Sequence, residues 1–335
     1  MKFASLKNPN NRDGTLLLVD RALKKAVDVS DVAPTLQAAL ENWHNVERAL
    51  QDEAESLACG TDRPVIDFTR ALADGQIAAP LPRTHQWLDG SAYLSHVERV
   101  RRARNDTVPA SYFTDPLMYQ GGGDAMMGPR DPISVLCEDW GVDLEGEVGV
   151  ITGDVKMGAS AAEAASAVRL LVLINDVSYR KLIPAELAKG FGFVNSKGQN
   201  ALSPVAVTPD ELGSAWCGVK GAGKLDYRLL CQLRGAWLGH PNAAHDMTFS
   251  LFDLISHAAK TRPLKAGSLI GSGTVSNHDK STGYACIMEK RLVEQVELGA
   301  AKEDFLRFGD TVEIDMRDHH GDSIFGAIKQ SVVKG

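Results

Sequence analysis

A chain of 335 residues with 44% hydrophobic and 24% charged residues and a net charge of −7 has the make-up of a folded globular protein, long enough for a large core plus a smaller second unit. The acidic balance, and the lack of a basic stripe beyond "HVERVRRAR" with Arg99 to Arg104, argue against nucleic acid as a partner. The longest apolar run, "LLVLI" at 170–174, is far too short to span a bilayer, so no membrane contact and a cytoplasmic home are expected. Five cysteines, Cys59, Cys137, Cys217, Cys231 and Cys286, are scattered without a C-x-x-C pair and read as reduced core thiols.

In chain order, "MKFASLKNPNNRDGTLLLVD" predicts a hairpin with "NNRDG" as its turn. Three-and-four spacing of apolar residues over "APTLQAALENWHNVERALQDEAESLACG" predicts a helix that ends on Gly60. The breaker-rich "GQIAAPLPRTHQWLDG" reads as a connection, which places a small N-terminal domain over 1–80 and a larger domain over 81–335. "GSAYLSHVERVRRARN" has helical character, and "GGGDAMMGPRDPI" is a glycine-rich loop. Strands follow around "LEGEVGVITGDV", "VRLLVLINDVS" and "LSPVAVTPDEL", with the alanine-rich helix "SAAEAASAV" between the first two. Further strands are expected in "LDYRLLCQLRGAWLGH", "GSLIGSGTVS" and "DTVEIDMRDHHGDSIFGAIKQ", and a helix in "MTFSLFDLISHAAKT". The sum is a mixed, β-rich α+β fold.

Within this frame "VDLEGEVGVI", 142–151, reads as one strand whose period of two puts Asp143, Glu145 and Glu147 on one face. For an isolated strand a solvated face is the better reading. The buried-looking "RLLVLINDVSYR" changes the balance, because Asp176 at its end can join Glu145 and Glu147 around one ion, although an "ND" pair also suits a plain turn. Hard oxygen donors without His or Cys nearby select Mg²⁺, Ca²⁺ or Mn²⁺ over zinc.

The combination "LEGEVGV", "LINDVSYR", "SKGQNALSP" and "GSLIGSGTVSN", in this order and spacing, resembles the fumarylacetoacetate hydrolase family from about residue 85 to 330. The resemblance implies a C-terminal mixed β-sandwich or β-roll, a homodimer, and a divalent cation, Mg²⁺ first, bound by Glu145, Glu147 and Asp176. A fourth carboxylate seven residues before a catalytic histidine matches Asp89 and His96 in "DGSAYLSH", with Asp115 as the rival ligand. Alone, His96 reads equally well as a solvated residue on a helix. Lys197 resembles the lysine that faces the substrate, with Lys189 as the other candidate. Tyr119, Arg180 and Thr274 match substrate-contacting positions, against the plainer readings of a core aromatic, a surface ion pair and a glycine turn. Where some members carry Gln and Tyr after the arginine, this chain has Ile183 and Leu187, and the partner of His96 is either Glu98 or Glu289. The implied activity is metal-dependent hydrolysis of a carbon–carbon bond in a 1,3-diketo acid, such as fumarylacetoacetate or an acylpyruvate in aromatic amino acid catabolism, with His96 activating water and Lys197 stabilising the oxyanion. The alternatives are 2-oxo acid decarboxylation, hydration or tautomerisation on the same metal, and a non-catalytic metal-dependent binding protein.

Overall fold

The computed structural model describes residues 1–102, 108–217 and 223–335. The side chains of the "VRRAR" cluster beyond Arg99, and that of Cys217, lie outside the described residues. The architecture is mixed α+β, with a small N-terminal unit built onto the larger one.

The main sheet has eleven strands. Its path runs Val65–Asp67, Lys25–Asp28, Asn11–Val19, Lys2–Asn8, Ala206–Val207, Val168–Asn175, Gly146–Thr152, Ser268–Gly271, Gln86–Gly90 and Met118–Gly121, and Ala201–Leu202 pairs with Val168–Asn175 off this path. Every pairing is antiparallel except that of Ser268–Gly271 with Gln86–Gly90. The N-terminal strands thus extend the sheet of the larger unit through the pairing of Lys2 and Phe3 with Val207 and Ala206.

Alternation splits the core over the two faces of this sheet. Trp87, Ile151, Leu170, Val172, Ile174 and Leu269 face one way, toward the N-terminal helices Leu36–Glu41 and Trp43–Cys59. Leu88, Val148, Val150, Leu171, Leu173 and Ile270 face the other. They share that core with Leu229, Cys231, Ile314 and Ile328 of a second, five-stranded sheet ordered Ala236–Gly239, Leu229–Leu233, Thr311–Met316, Ile328–Lys334 and Ile133–Val135. Both faces being covered explains the near-continuous apolar run of Val168–Asn175.

Local chemistry corrects several predicted elements. The hairpin turns at Pro9 and Asn10, where the Asn8 side chain accepts the Asn10 N–H at 2.9 Å, so only the first residue of "NNRDG" belongs to the turn. The other four, 11–14, open the second strand, where the register slips opposite Leu6–Asn8. Gly14, at φ 72°, allows the irregularity, since a Cβ there would stand 2.8 Å from the Leu6 carbonyl oxygen. The long predicted helix divides at Asn42, which closes Leu36–Glu41 and opens Trp43–Cys59. "LSPVAVTPDEL" yields only the two-residue strands Ala201–Leu202 and Ala206–Val207, because Pro204 interrupts the ladder. Cys231 and Cys286 are buried as expected, whereas Cys59 is exposed at the end of its helix. A helix over Ile287–Leu298 adds to the predicted set and packs beside Leu94–Arg102.

Candidate metal centre and active site

Three carboxylates converge at one end of the main sheet. Asp89 comes from Gln86–Gly90, Glu147 from Gly146–Thr152, and Asp176 from the residue just past Val168–Asn175. The register Gly149–Gly271–Asp89–Tyr119 across four strands puts Asp89 and Tyr119 on one face, and Glu147, two residues from Gly149, shares it. Between the acids stands Gly271, where a Cβ would meet the Asp89 Oδ1 at 2.6 Å and the Glu147 Oε2 at 2.8 Å. The missing side chain is what lets the two carboxylates approach.

One oxygen of each of Asp89, Glu147 and Asp176 lies within 4.8 Å of the other two. All three residues are buried, and both oxygens of Glu147 and the Oδ1 of Asp176 lack a hydrogen-bond partner. Burial and mutual repulsion push the Asp89 carboxyl up to about 8 and raise Glu147 and Asp176 as well. Orphaned buried carboxylate oxygens are costly unless paired or coordinating. An all-oxygen set of this kind fits a hard divalent cation.

The strand that carries "VDLEGEVGVI" breaks at Leu144–Glu145, and this corrects the single-strand reading. Val142–Asp143 pairs instead with Ser178–Tyr179 in a separate two-stranded ladder. Asp143 is fully buried and stands apart from the trio: its carboxylate accepts the Ile287 and Met288 N–H groups at 2.7 and 2.9 Å and the Arg180 Nε at 2.8 Å. Glu145 also lies outside the trio. Its Oε1 accepts from Ser178 at 2.5 Å and Lys197 at 2.9 Å and pairs with the Arg180 Nη1 at 3.1 Å, while its Oε2 accepts from Thr274. Burial would raise Glu145, yet Arg180 and Lys197 outweigh it and hold this carboxyl well below the usual range.

Lys197 links the two groups of acids, donating to the Asp176 Oδ2 at 2.5 Å as well as to Glu145. Burial disfavours its charge, but Asp176 and Glu145 prevail and keep the ammonium protonated. Tyr119 donates to the same Asp176 oxygen at 2.7 Å, and its ring lies 4.8 Å from the Lys197 Nζ.

His96 sits on the Leu94–Arg102 helix, 20% exposed, with its Nδ1 3.0 Å from the Oε2 of the fully buried Glu289. Of the two candidate partners, Glu98 turns to His278 at 3.1 Å. Glu289 is fixed in turn by Arg99 and by Ser276 at 2.8 Å. A carboxylate only accepts, so Nδ1 carries the proton and Nε2 is left as the basic nitrogen. Burial pushes the imidazole down to about 4, against the raising effect of Glu145.

Asp89, His96, Tyr119, Glu145, Arg180, Lys197 and Thr274 line one cavity of about 150 Å³, with Ile183 and Phe193. The other candidates fall elsewhere. Asp115 is exposed and pairs with His257 at 3.4 Å, Lys189 is exposed on the surface, and Leu187 is 50% exposed outside the cavity. Phe193, Ser178 and Gly271 were not singled out by the sequence, and of these only the "GFGF" repeat of glycine and phenylalanine hints at an aromatic held on a loop. Among the described residues, a larger surface cavity of about 530 Å³ beside Lys2, Arg21, Glu211 and Asp318 contains no comparable grouping of orphaned carboxylate oxygens.

The fold thus gathers three buried carboxylates and a histidine paired with Glu289 at one small cavity. The chain belongs to the fumarylacetoacetate hydrolase family: residues 85–333 match the family described as fumarylacetoacetate (FAA) hydrolase C-terminal, and residues 1–83 match fumarylacetoacetase N-terminal domain 2. It is 29% identical over 216 residues to a 2,4-didehydro-3-deoxy-L-rhamnonate hydrolase of Sphingomonas sp. (strain SKA58), covering 64% of this chain and 70% of that protein. It is 25% identical over 257 residues to the oxaloacetate tautomerase YisK of Bacillus subtilis (strain 168), covering 74% of this chain and 71% of that one. The crystal structure of maleylpyruvate hydrolase from Sphingobium sp. SYK-6, in complex with manganese(II) and pyruvate, superposes with a TM-score of 0.65 at 14% identity over the whole of both chains. Hydrolases and a tautomerase are thus among the relatives. Among the described residues no helix is long and apolar enough to cross a membrane.

Proposed function

We propose that the protein is a divalent-cation-dependent hydrolase that cleaves a carbon–carbon bond in a small 1,3-diketo acid of the acylpyruvate kind. The observation that carries the reading is that His96, held from behind by Glu289, lines the same cavity as Asp89, whose carboxylate stands with the orphaned oxygens of Glu147 and Asp176. Asp89, Glu147 and Asp176 would hold the cation, Glu145 would position Lys197 beside them, and Mg²⁺ is the first choice over Mn²⁺ and Ca²⁺. Such an ion supplies Lewis-acid polarisation of a 2-oxo acid and neutralises the charge that develops on it.

The chain's own groups do the rest. Nε2 of His96 takes a proton from water as the water oxygen bonds to the distal carbonyl carbon, and Glu289 steadies the imidazolium through Nδ1. Lys197, permanently protonated, donates to the oxyanion. Collapse breaks the bond between the two ketone-bearing halves. The electron pair passes to the pyruvate-type enolate, the imidazolium returns its proton to that carbon, and a carboxylic acid and a 2-oxo acid leave. Homodimeric assembly, implied by the family resemblance, and a cytoplasmic home, expected from the lengths of the apolar runs, complete the reading.

Loss of the enol absorbance of acetylpyruvate on adding Mg²⁺ tests it, and EDTA should abolish the loss. His96→Asn is expected to cut hydrolysis by about 10²- to 10⁴-fold, the usual worth of a positioned base. Tautomerisation or decarboxylation of a 2-oxo acid is the second reading, favoured by the likeness to the tautomerase. Turnover of oxaloacetate that survives His96→Asn, without acetylpyruvate cleavage in the native protein, would establish that one instead.

The low basicity of His96 has its own consequence. Its neutral form persists down to about pH 4, so kcat at saturating Mg²⁺ should stay level from pH 8 to about 5 and fall only below. An acid limb centred near pH 6.5 would mean that the imidazole titrates as a solvated group.

A further inference from the structure

We infer that the pocket selects monocarboxylic 2-oxo acids with a short, uncharged far end, and that Ile183 and Phe193 set this selectivity; the inference rests on the function proposed above. Among the described residues lining the cavity, Lys197 and Arg180 are the only lysine or arginine side chains. Both are already committed. Lys197 serves Glu145 and Asp176 at 2.9 and 2.5 Å, and Arg180 serves Asp143 and Glu145 at 2.8 and 3.1 Å. Two donors remain, the third N–H of the Lys197 ammonium, assigned above to the oxyanion, and the Nη2 of Arg180, which is buried without a partner among the described residues. These N–H groups suit a carbonyl or hydroxyl oxygen of the substrate, whereas a second carboxylate would find both cations of the lining already paired with Asp143, Glu145 and Asp176.

The apolar part of the lining points the same way. Ile183 projects from the short helix Ile183–Leu187, and Phe193 from the loop that follows, its ring centroid 5.6 Å from that of Tyr119. Tyr93 offers only its ring, because its hydroxyl donates to the Ala243 carbonyl at 2.6 Å. Where an amide stands in the resembled pattern, Ile183 gives a distal group nothing to bond. At about 150 Å³ the cavity is below the roughly 300–1,000 Å³ of pockets for drug-sized ligands, which favours a tail of a few carbons.

The experiment is calorimetry on the full chain loaded with Mg²⁺, using the length-matched pair 2-oxovalerate and 2-oxoglutarate, which differ in the distal carboxylate. The native protein should bind 2-oxovalerate at least about tenfold more tightly, the mark of a repelled like charge. Ile183→Arg should reverse the preference, and Ile183→Gln, which adds no charge and suits the site if arginine impairs folding, should narrow it. Equal binding of the two acids by the native protein, tighter binding of 2-oxoglutarate, or a preference unchanged in both variants would overturn the inference. Failure of acetylpyruvate cleavage with the binding preference intact would sink the proposed hydrolysis and leave the selectivity standing.

Discussion

Glu147→Gln is expected to abolish cation-dependent turnover, by about a thousandfold or more, while raising the thermal stability of the cation-free protein at pH 8. The loss corresponds to several kcal/mol of Lewis-acid stabilisation withdrawn from the transition state. The gain follows from the burial of Glu147, whose two oxygens have no hydrogen-bond partner and whose charge faces Asp89 and Asp176. Replacing a repelled, unpaired carboxylate by a neutral amide of the same shape relieves that cost. Asp176→Asn should be equally inactive, yet destabilised, because Asp176 accepts from Tyr119 and from Lys197 and its neutralisation leaves the buried ammonium with Glu145 as its one carboxylate partner among the described residues. Thermal melts with and without Mg²⁺ separate the two effects. Both variants should lose the cation-induced rise in melting temperature, and their cation-free melting temperatures should move in opposite directions. Retention of full Mg²⁺-dependent activity by Glu147→Gln would remove Glu147 from the centre.

The parts of this site visible in the sequence are those fixed by strand geometry. A period of two and the end of an apolar strand pick out Glu147 and Asp176, whereas the seven-residue spacing from Asp89 to His96 comes from the family resemblance and spans a strand end and the start of a helix. What sequence alone leaves open depends on contacts between distant segments. The choice of Glu289 over Glu98 follows from the helix Ile287–Leu298, whose surface is mostly polar and whose N-cap is Cys286 rather than a Ser, Thr, Asp or Asn, so neither periodicity nor a capping signal announces it. The role of Gly271 exists only in the register of four strands. The different fates of Glu145 and Glu147, identical in local pattern, depend on a strand break that lets Arg180 and Lys197 capture the first of them.

Cation affinity should climb steeply with pH up to about 8. In the cation-free fold the Asp89 carboxyl is held up to about 8 by burial and by the charge of Asp176, and Glu147 and Asp176 are raised too, so a cation entering at lower pH must first displace protons. Well below its pKa each proton displaced weakens binding about tenfold per pH unit, which makes Mg²⁺ or Mn²⁺ about fiftyfold weaker at pH 6 than at pH 8 for Asp89 alone. The linkage to stability has a definite sign. Asp89 titrates at 3.8 in an unfolded chain and near 8 in the fold, so the folded state binds more protons between these values. The stability this group lends the cation-free protein is complete below about pH 4 and is lost as the pH rises through 8. A bound cation removes that loss by compensating the charge, so the gap in melting temperature between loaded and cation-free protein should widen steadily over the same interval. Calorimetric titrations at pH 6, 7 and 8 in buffers of different ionisation heat would count the protons released. An affinity that stays constant from pH 6 to 8, with no proton release, would show that these carboxylates are already ionised before the cation arrives, leaving the orphaned oxygens of Glu147 without the electrostatic cost assigned to them here.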